Sequence, residues 1–238
     1  MYIKLSDAKL KTDEDLEVGV VMAPDQEHSD SIAKVLHHKG DPWLSHVNRA
    51  LSGDIKELET RFYIGKLDGQ VVAIGEIGLD YYRDLSPRPL QRAVFEKLMS
   101  LAYELKLPII IHNRDSHDDM LAILKKNLNG MSGVMHCFSG DQNFADQCLE
   151  MGLYVSFAGP VTYPNAHVLH KVVQNIPDDR FFIETDCPYL SPQFMRGKRN
   201  EPSYIKAIAK KIAELRHTTF PEISRISTEN AKSFFKIL

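Results

Sequence analysis

Four short apolar runs in this chain are each followed at once by a side chain that can bind a metal. The first run leads to Glu76 and the last leads to Asp186. The two runs between them lead to His112 and His136. Runs of this kind are typical of buried strands, and a parallel α/β barrel carries its chemistry at the carboxyl ends of its strands. One Glu, two His and one Asp at successive strand ends predict a site for zinc or a harder divalent cation, not a packing pattern.

From Val71 onward, predicted strands alternate with amphipathic helices, as in a parallel sheet covered on both faces. Candidate strands lie near residues 20, 45, 73, 110, 135, 155 and 183, and residues 2–5 offer an eighth. The 238 residues suit a (β/α)8 barrel, which typically has about 250. We therefore predict a single domain over residues 1–238, an α/β TIM (β/α)8 barrel with a shortened or degenerate first unit. An open doubly wound sheet is the alternative, disfavoured because no Gly-rich phosphate-binding turn follows a strand.

Apolar spacing places helices between these strands. Ser86 is a predicted N-cap for the first of them, with Pro87 in its first turn. Two short helices are predicted to open near Phe220 and Thr228. The other predicted helices cover residues 87–106, 116–128, 141–151, 164–174 and 201–215.

Composition excludes several classes of protein. Lys and Arg number 29 against 32 Asp and Glu, a net charge of −3, which argues against bulk electrostatic binding of nucleic acid but allows a local basic patch. The three cysteines are odd in number and widely spaced, so a secreted disulfide framework is not expected. Neither a signal peptide nor a long apolar span is recognisable. We expect a cytoplasmic protein without membrane contact.

The four strand-end residues differ in how strongly they indicate a metal. Glu76 lies between two glycines and can bridge two cations through its two oxygens, although pairing with a barrel Lys or Arg is the alternative. A lone His112 would more often be a hydrogen-bonded core histidine, but His136 and Glu76 complete a three-ligand site with open positions for water. Asp186 either binds a metal or accepts a proton from the attacking water, and its plainer role would be a turn cap.

Basic residues follow the candidate ligands. Arg114 comes two residues after His112, and Arg196, Lys198 and Arg199 lie in the loop after Asp186. Cations at the rim of a metal site suit a phosphate-bearing substrate, whereas a solvated charged loop is the alternative. Arg114, Arg196 and Arg199 are therefore the predicted substrate-binding residues, and Asp186 and Glu76 are the predicted catalytic ones.

Five ordered motifs together resemble the TatD family of metal-dependent deoxyribonucleases, a branch of the amidohydrolase-like TIM barrels. The likeness runs from about Val71 to the C-terminus. It implies metal ligation by Glu76, His112, His136 and Asp186, with Glu76 bridging one or two ions of magnesium, manganese or zinc. It also implies a DNA substrate, single-stranded or at an end, cleaved as by a 3′ exonuclease without an organic cofactor. The matching motifs are residues 75–81, 111–117, 136–140, 184–190 and 196–202.

The chain departs from the family pattern in one respect. The family's first strand carries a His-x-His pair, whereas no histidine precedes His28 and no His-x-His occurs here. One metal site is therefore expected to be complete and the other to be reduced to Glu76 and Asp186. Either the second ion is recruited with the substrate, or turnover has been lost. Three functions remain open: hydrolysis of DNA phosphodiesters, hydrolysis of a small ester, lactone or amide, and metal or nucleic-acid binding without catalysis.

Overall fold

The computed structural model describes residues 66–67 and 70–236. Strand predictions near residues 2–5, 20 and 45, and with them the predicted first barrel unit, lie outside these residues. Two short strands, β1 (Lys66–Leu67) and β2 (Gln70–Val71), pair antiparallel. A five-stranded parallel sheet follows in the order β3-β4-β5-β6-β7. Its strands are β3 (Ile74–Asp80), β4 (Ile109–Arg114), β5 (Gly133–Met135), β6 (Tyr154–Phe157) and β7 (Phe181–Ile183).

One helix connects each strand of this sheet to the next, so the order of strands in space is their order in the chain. Two more helices follow β7, and none of those described is long and apolar enough to cross a membrane. The helices are α1 (Arg88–Leu105), α2 (His117–Asn127), α3 (Gln142–Glu150), α4 (His167–Asn175), α5 (Ile205–Leu215) and α6 (Phe220–Phe235).

The sheet is buried on both faces, as its nearly continuous apolar strands predict. Ile109 and Ile111 pack into a large cluster with the helices, whereas Ile110 belongs to a second, smaller cluster. Val134 and Phe182 lie in this second cluster, where Phe234 of α6 packs against Phe182 with ring centroids 5.3 Å apart. Alternate residues of one strand therefore serve opposite faces, and the smaller cluster forms the floor beneath the polar ends of the strands.

Strand β3 extends further than predicted. The apolar run at residues 71–74 was expected to end before Glu76, yet β3 continues to Asp80 and Glu76 lies within it. The two glycines explain the difference, because they let β3 approach β4 very closely. A Cβ at Gly78 would lie 1.9 Å from the carbonyl oxygen of His112, so only glycine fits there. Glycine's weak strand propensity concealed this pairing.

Other predicted boundaries also need correction. Ser86 does not cap α1, since Pro87 occupies the N-cap position, and Pro89 lies in the first turn. The two short C-terminal helices are one helix, α6, which Thr219 caps by accepting a hydrogen bond from the Glu222 N–H. The predicted strands 134–138 and 181–186 end earlier, at Met135 and Ile183. Cys137 and Asp186 could not belong to them, because their positive φ angles of 45° and 52° do not fit a strand.

Candidate metal centre

Side-chain alternation brings the two histidines to one face of the sheet. His112 follows Ile110 by two positions, and His136 follows Val134 by two positions. Both apolar residues belong to the smaller core cluster, so the histidines continue the same face towards the carboxyl edge. Although β5 ends at Met135, the backbone N–H of His136 still donates to the carbonyl of Ile111 at 2.9 Å. The sheet therefore fixes the backbone of both histidines.

Glu76 completes a group of three potential ligands with these histidines. Its Oε1 lies 3.4 Å from His136 Nε2, and its Oε2 lies 3.9 Å from His112 Nδ1. One ligand atom from each of the three residues lies within 4.8 Å of the other two. A carboxylate and two imidazoles at this separation can hold zinc or another divalent ion, with the remaining positions open to water or substrate.

Asp186 reaches the same place from the segment after β7. Its Oδ1 lies 3.5 Å from His136 Nε2, the nitrogen that also faces Glu76. The residue is only partly buried, and its positive φ turns the chain just beyond the strand. The structure thus brings all four predicted ligands together, and Asp186 adds an oxygen at the open side of the three-residue group.

The fully buried carboxylate of Glu184 contacts His136 at Nδ1, the ring nitrogen that does not face Glu76. Glu184 Oε2 lies 2.7 Å from His136 Nδ1, although the ring N–H is not directed along the line between the two atoms. The other oxygen of Glu184 accepts hydrogen bonds from the Cys137 N–H, at 2.7 Å, and from the Ser156 hydroxyl. This arrangement assigns the proton of a neutral His136 to Nδ1 and turns Nε2 towards Glu76, as metal-binding histidines require.

The carboxylates around His136 also govern its charge. Burial acts to lower the pKa of His136, but the negative charges of Glu184 and Glu76 outweigh it and raise the pKa well above 6.5, so a metal ion that binds Nε2 has to displace a proton from the ring. The same surroundings keep the neighbouring thiol neutral. Burial, followed by the nearby carboxylates, raises the pKa of Cys137 well above its usual range, so this cysteine stays protonated.

Asp80 supports the other histidine. Its Oδ2 lies 3.4 Å from His112 Nε2, while its Oδ1 accepts hydrogen bonds from the backbone N–H groups of Tyr82 and Arg83 at 3.0 and 2.8 Å. Burial acts to raise the pKa of Asp80, but hydrogen bonds with the His112 ring and the Arg83 N–H, and the charges of His112 and Arg114, prevail and lower it to about 2. Asp80 therefore stays ionised, and it leaves Nδ1 of His112 facing Glu76.

The predicted substrate-binding arginines occupy different positions. Arg114 pairs in register with Asp80, and its guanidinium lies 3.9 Å from the ring centroid of Tyr82. Arg196 lies over the ring of Tyr163 at 4.5 Å, and Arg199 is exposed. Arg114 is thus placed directly beside the candidate ligands, whereas Arg196 and Arg199 belong to a separate exposed loop.

Hydrogen bonds from Asn200 join this loop to the segment that contains Asp186. The residue is buried, and its amide nitrogen donates to the carbonyls of Thr185 and Tyr189, each at 2.6 Å. Its backbone N–H donates to the carbonyl of Pro188 at 2.9 Å. The loop at residues 196–199 therefore ends at a fixed position next to the candidate metal centre.

A family model described as TatD related DNase matches residues 41–236. The chain belongs to the TatD family. This result confirms the resemblance carried by the five motifs and extends it upstream of Val71.

The curated proteins related to this TatD chain carry two kinds of name. A protein named as an uncharacterised metal-dependent hydrolase, YabD of Bacillus subtilis, is 54% identical over 169 residues, which cover 71% of this chain and 66% of the relative. A protein named 3′-5′ ssDNA/RNA exonuclease TatD, from Klebsiella pneumoniae, is 34% identical over 213 residues, covering 87% of this chain and 77% of the relative. The chain thus spans about two thirds of the length of YabD.

Solved TatD structures establish the fold class. YjjV, a TatD homologue from Escherichia coli, has a TM-score of 0.67 at 27% identity, covering 85% of this chain and 73% of YjjV. A TatD family hydrolase from Entamoeba histolytica has a TM-score of 0.61 at 28% identity, covering 82% of this chain and 69% of the other. The predicted α/β barrel is confirmed, and β3 to β7 are the consecutive barrel strands that the structure describes.

Two functional residues of this TatD chain were not predicted as such, namely Asp80 and Glu184. Both lie inside motifs that the sequence analysis had singled out. The missed signal was the strand period of two: Asp80 lies four residues after Glu76, and Glu184 lies two before Asp186. A carboxylate on the face of a predicted ligand is best explained as a residue that orients that ligand.

Proposed function

We propose that this chain is a metal-dependent hydrolase that cleaves phosphodiester bonds of DNA, as a 3′ exonuclease-type deoxyribonuclease acting on single strands or ends. The observation that carries the proposal is the convergence of Glu76, His112 and His136 within 4.8 Å, with Arg114 beside them. The exonuclease names of TatD relatives support the substrate class.

The donor set fits a magnesium, manganese or zinc ion. Glu76, His112 and His136 would hold it, and Asp186 together with the second oxygen of Glu76 would hold a further ion where one is recruited. A divalent ion, when bound, stabilises the negative charge that develops on the phosphate and lowers the pKa of water. The carboxylates behind both histidines keep the ring orientations that such binding needs.

The chain's own residues then perform three tasks. Asp186 accepts at its carboxylate the proton released as water adds to phosphorus, and the phosphorus–oxygen bond to the neighbouring nucleotide breaks as its leaving oxygen takes a proton from solvent. Arg114 holds a non-bridging phosphate oxygen, because a guanidinium donates two parallel hydrogen bonds to phosphate. Arg196 and Arg199 hold the backbone further along the strand.

The test is cleavage of end-labelled single-stranded DNA with magnesium, manganese or zinc. Wild type and the Glu76→Gln variant are compared, with Glu96→Gln as a matched control, since Glu96 lies on α1 and pairs with Lys126 of α2. We expect metal-dependent cleavage by wild type and by Glu96→Gln, and loss of the metal-dependent rate in Glu76→Gln. A ladder shortened from the 3′ end would identify end-directed cutting.

Other outcomes would change the assignment. Undiminished cleavage by Glu76→Gln would remove the proposed site. Hydrolysis of small esters or lactones, with no cleavage of DNA under any metal, would indicate the alternative hydrolase. DNA binding without any hydrolysis would indicate a family member that has lost turnover.

A further inference from the structure

Two tyrosines stand exposed at the rim of the candidate metal centre. Tyr82 follows Asp80 by two residues and is 65% exposed, and Tyr189 follows Asp186 by three and is 37% exposed. Tyr82 lies just after the strand that carries Glu76, and Tyr189 lies just after Asp186. Singly exposed aromatic rings are common on protein surfaces, so exposure alone does not indicate a ligand.

An arginine guanidinium lies over each of these two rings. The Arg114 guanidinium lies 3.9 Å from the centroid of Tyr82, and that of Arg83 lies 6.0 Å from the centroid of Tyr189. The second contact joins the end of β3 to the segment after β7. It therefore crosses from the first to the last strand of the described sheet, on the side where the ligands converge.

A third pair differs from these two. Arg196 lies on Tyr163, but the Tyr163 hydroxyl donates to the carbonyl of Ser191 at 2.9 Å and the ring is partly buried in the wall. Tyr163 is therefore part of the structure that positions Arg196. The exposed surface of Tyr82 and Tyr189, by contrast, can receive a flat ligand.

Aromatic rings combined with cations match one class of ligand, a single-stranded nucleic acid. An unpaired base offers a flat π-face for stacking and its phosphate offers negative charge, whereas bases in a duplex already stack on their neighbours. We propose that Tyr82 with Arg114, and Tyr189 with Arg83, form two platforms that stack unpaired bases of single-stranded DNA on either side of the metal centre. This inference rests on the proposed function and assigns base-contacting residues to it.

The test measures binding, which does not require turnover. Fluorescence anisotropy compares an oligothymidylate with phosphorothioate linkages, which resist hydrolysis, with the same oligomer carrying an abasic residue at each position in turn. Tyr82→Ala should weaken binding of the intact oligomer roughly 5- to 150-fold, the range for one stacked base. At one abasic position wild type should lose the same factor, and Tyr82→Ala should lose nothing more.

Two further variants separate stacking from a structural effect. Tyr82→Phe keeps the ring and should bind as wild type does. Tyr103→Ala removes an exposed tyrosine at the C-terminal end of α1, the end that leads back to the start of β4, and should have no effect.

The outcomes separate this inference from the proposed function. Equal weakening of Tyr82→Ala on intact and abasic oligomers, or no weakening on either, would overturn the stacking assignment even if wild type cleaves DNA. Stacking-dependent binding by a protein that cleaves no DNA would support the platforms while removing the nuclease proposal. Failure of wild type to bind any oligomer would overturn both.

Discussion

The two histidines of the candidate metal centre are held in contrasting ways. His136 and its partner Glu184 have 3% and 0% of their side chains exposed, and lie 2.7 Å apart. His112 and its partner Asp80 have 34% and 25% exposed, and lie 3.4 Å apart. A buried charge must be compensated by its neighbours, whereas an exposed one is also stabilised by water. The contrast indicates a rigid ligand on one side of the site and an adjustable one on the other.

The strongest test of the contrast is to remove the buried carboxylate's charge. We expect Glu184→Gln to lower zinc affinity by roughly 10- to 100-fold, the usual range for a residue that orients a metal-binding histidine. The unfolding free energy should also fall by about 3 kcal/mol, because His136 would lose its buried partner. Isothermal titration calorimetry and urea denaturation measure the two effects.

Glu96→Gln serves as the control for this substitution and should leave both quantities unchanged. Zinc affinity equal to that of wild type in Glu184→Gln would show that the backbone alone orients His136. In that case the difference in burial between the two histidines would not make one a rigid ligand and the other an adjustable one.

The exposed carboxylate should matter less. We expect Asp80→Asn to lower zinc affinity by about 10-fold, at the weak end of the same range, because solvent can replace part of the contact with His112. The asparagine oxygen can still accept from Tyr82 and Arg83, but the lost charge should lower the unfolding free energy at neutral pH. Asp179→Asn, before β7 and 69% exposed, is the matched control for the same titration. A loss larger than that of Glu184→Gln would reverse the proposed order.

Acid titration of the metal-free protein sharpens the comparison. The pKa of Asp80 is lowered from 3.8 to about 2 in the folded state. A depressed carboxyl pKa contributes stability above the unfolded value, and that stability is lost as the pH falls through the folded value. Urea midpoints of wild type relative to Asp80→Asn should therefore converge between about pH 4 and pH 2. Parallel curves across that range would contradict the ionised state assigned to Asp80.

The smallest effect on stability and zinc affinity is expected for Asp119, which does not contact either histidine's partner carboxylate. The Tyr81 hydroxyl and Arg92 both donate to Asp119, at 2.5 and 2.6 Å, which ties the end of β3 to α2. Because this cluster is partly exposed, Asp119→Ala should cost less than about 1 kcal/mol of unfolding free energy. Zinc affinity measured by calorimetry should equal that of wild type. A loss as large as that of Asp80→Asn would show that the exposed side depends on α2.

Strand-end chemistry and apolar spacing predicted the site well, because ligand positions follow from periodicity. His112 and His136 could be predicted from the apolar residues two positions earlier, and the parallel order of their strands brings them together. Glu76 was also found, although its position inside β3 was not. That position depends on the fit of Gly78 against the His112 carbonyl, a contact between distant residues that spacing does not encode.

The residues that contact and orient the ligands were harder to predict than the ligands themselves. The period of two places Glu184 on the face of Asp186, but it does not reveal the hydrogen bonds that Glu184 accepts from Cys137 and Ser156 on neighbouring segments. The division of α6 into two helices failed for a related reason, since Thr228 is exposed and carries no stop signal in the folded helix. Sequence periodicity thus shows which face a residue occupies, and tertiary packing decides which groups it meets there.

Asn200 has a practical consequence for redesign of this protein. Because its amide bridges the carbonyls of Thr185 and Tyr189, the C-terminal end of the basic loop is fixed independently of the charges within it. Substitutions at Arg196 or Arg199 can therefore change the electrostatic potential near the site while Asp186 keeps its position. A substitution at Asn200 would instead shift the loop and the Asp186 segment together, so libraries aimed at altered substrate preference should vary residues 196–199 and leave Asn200 unchanged.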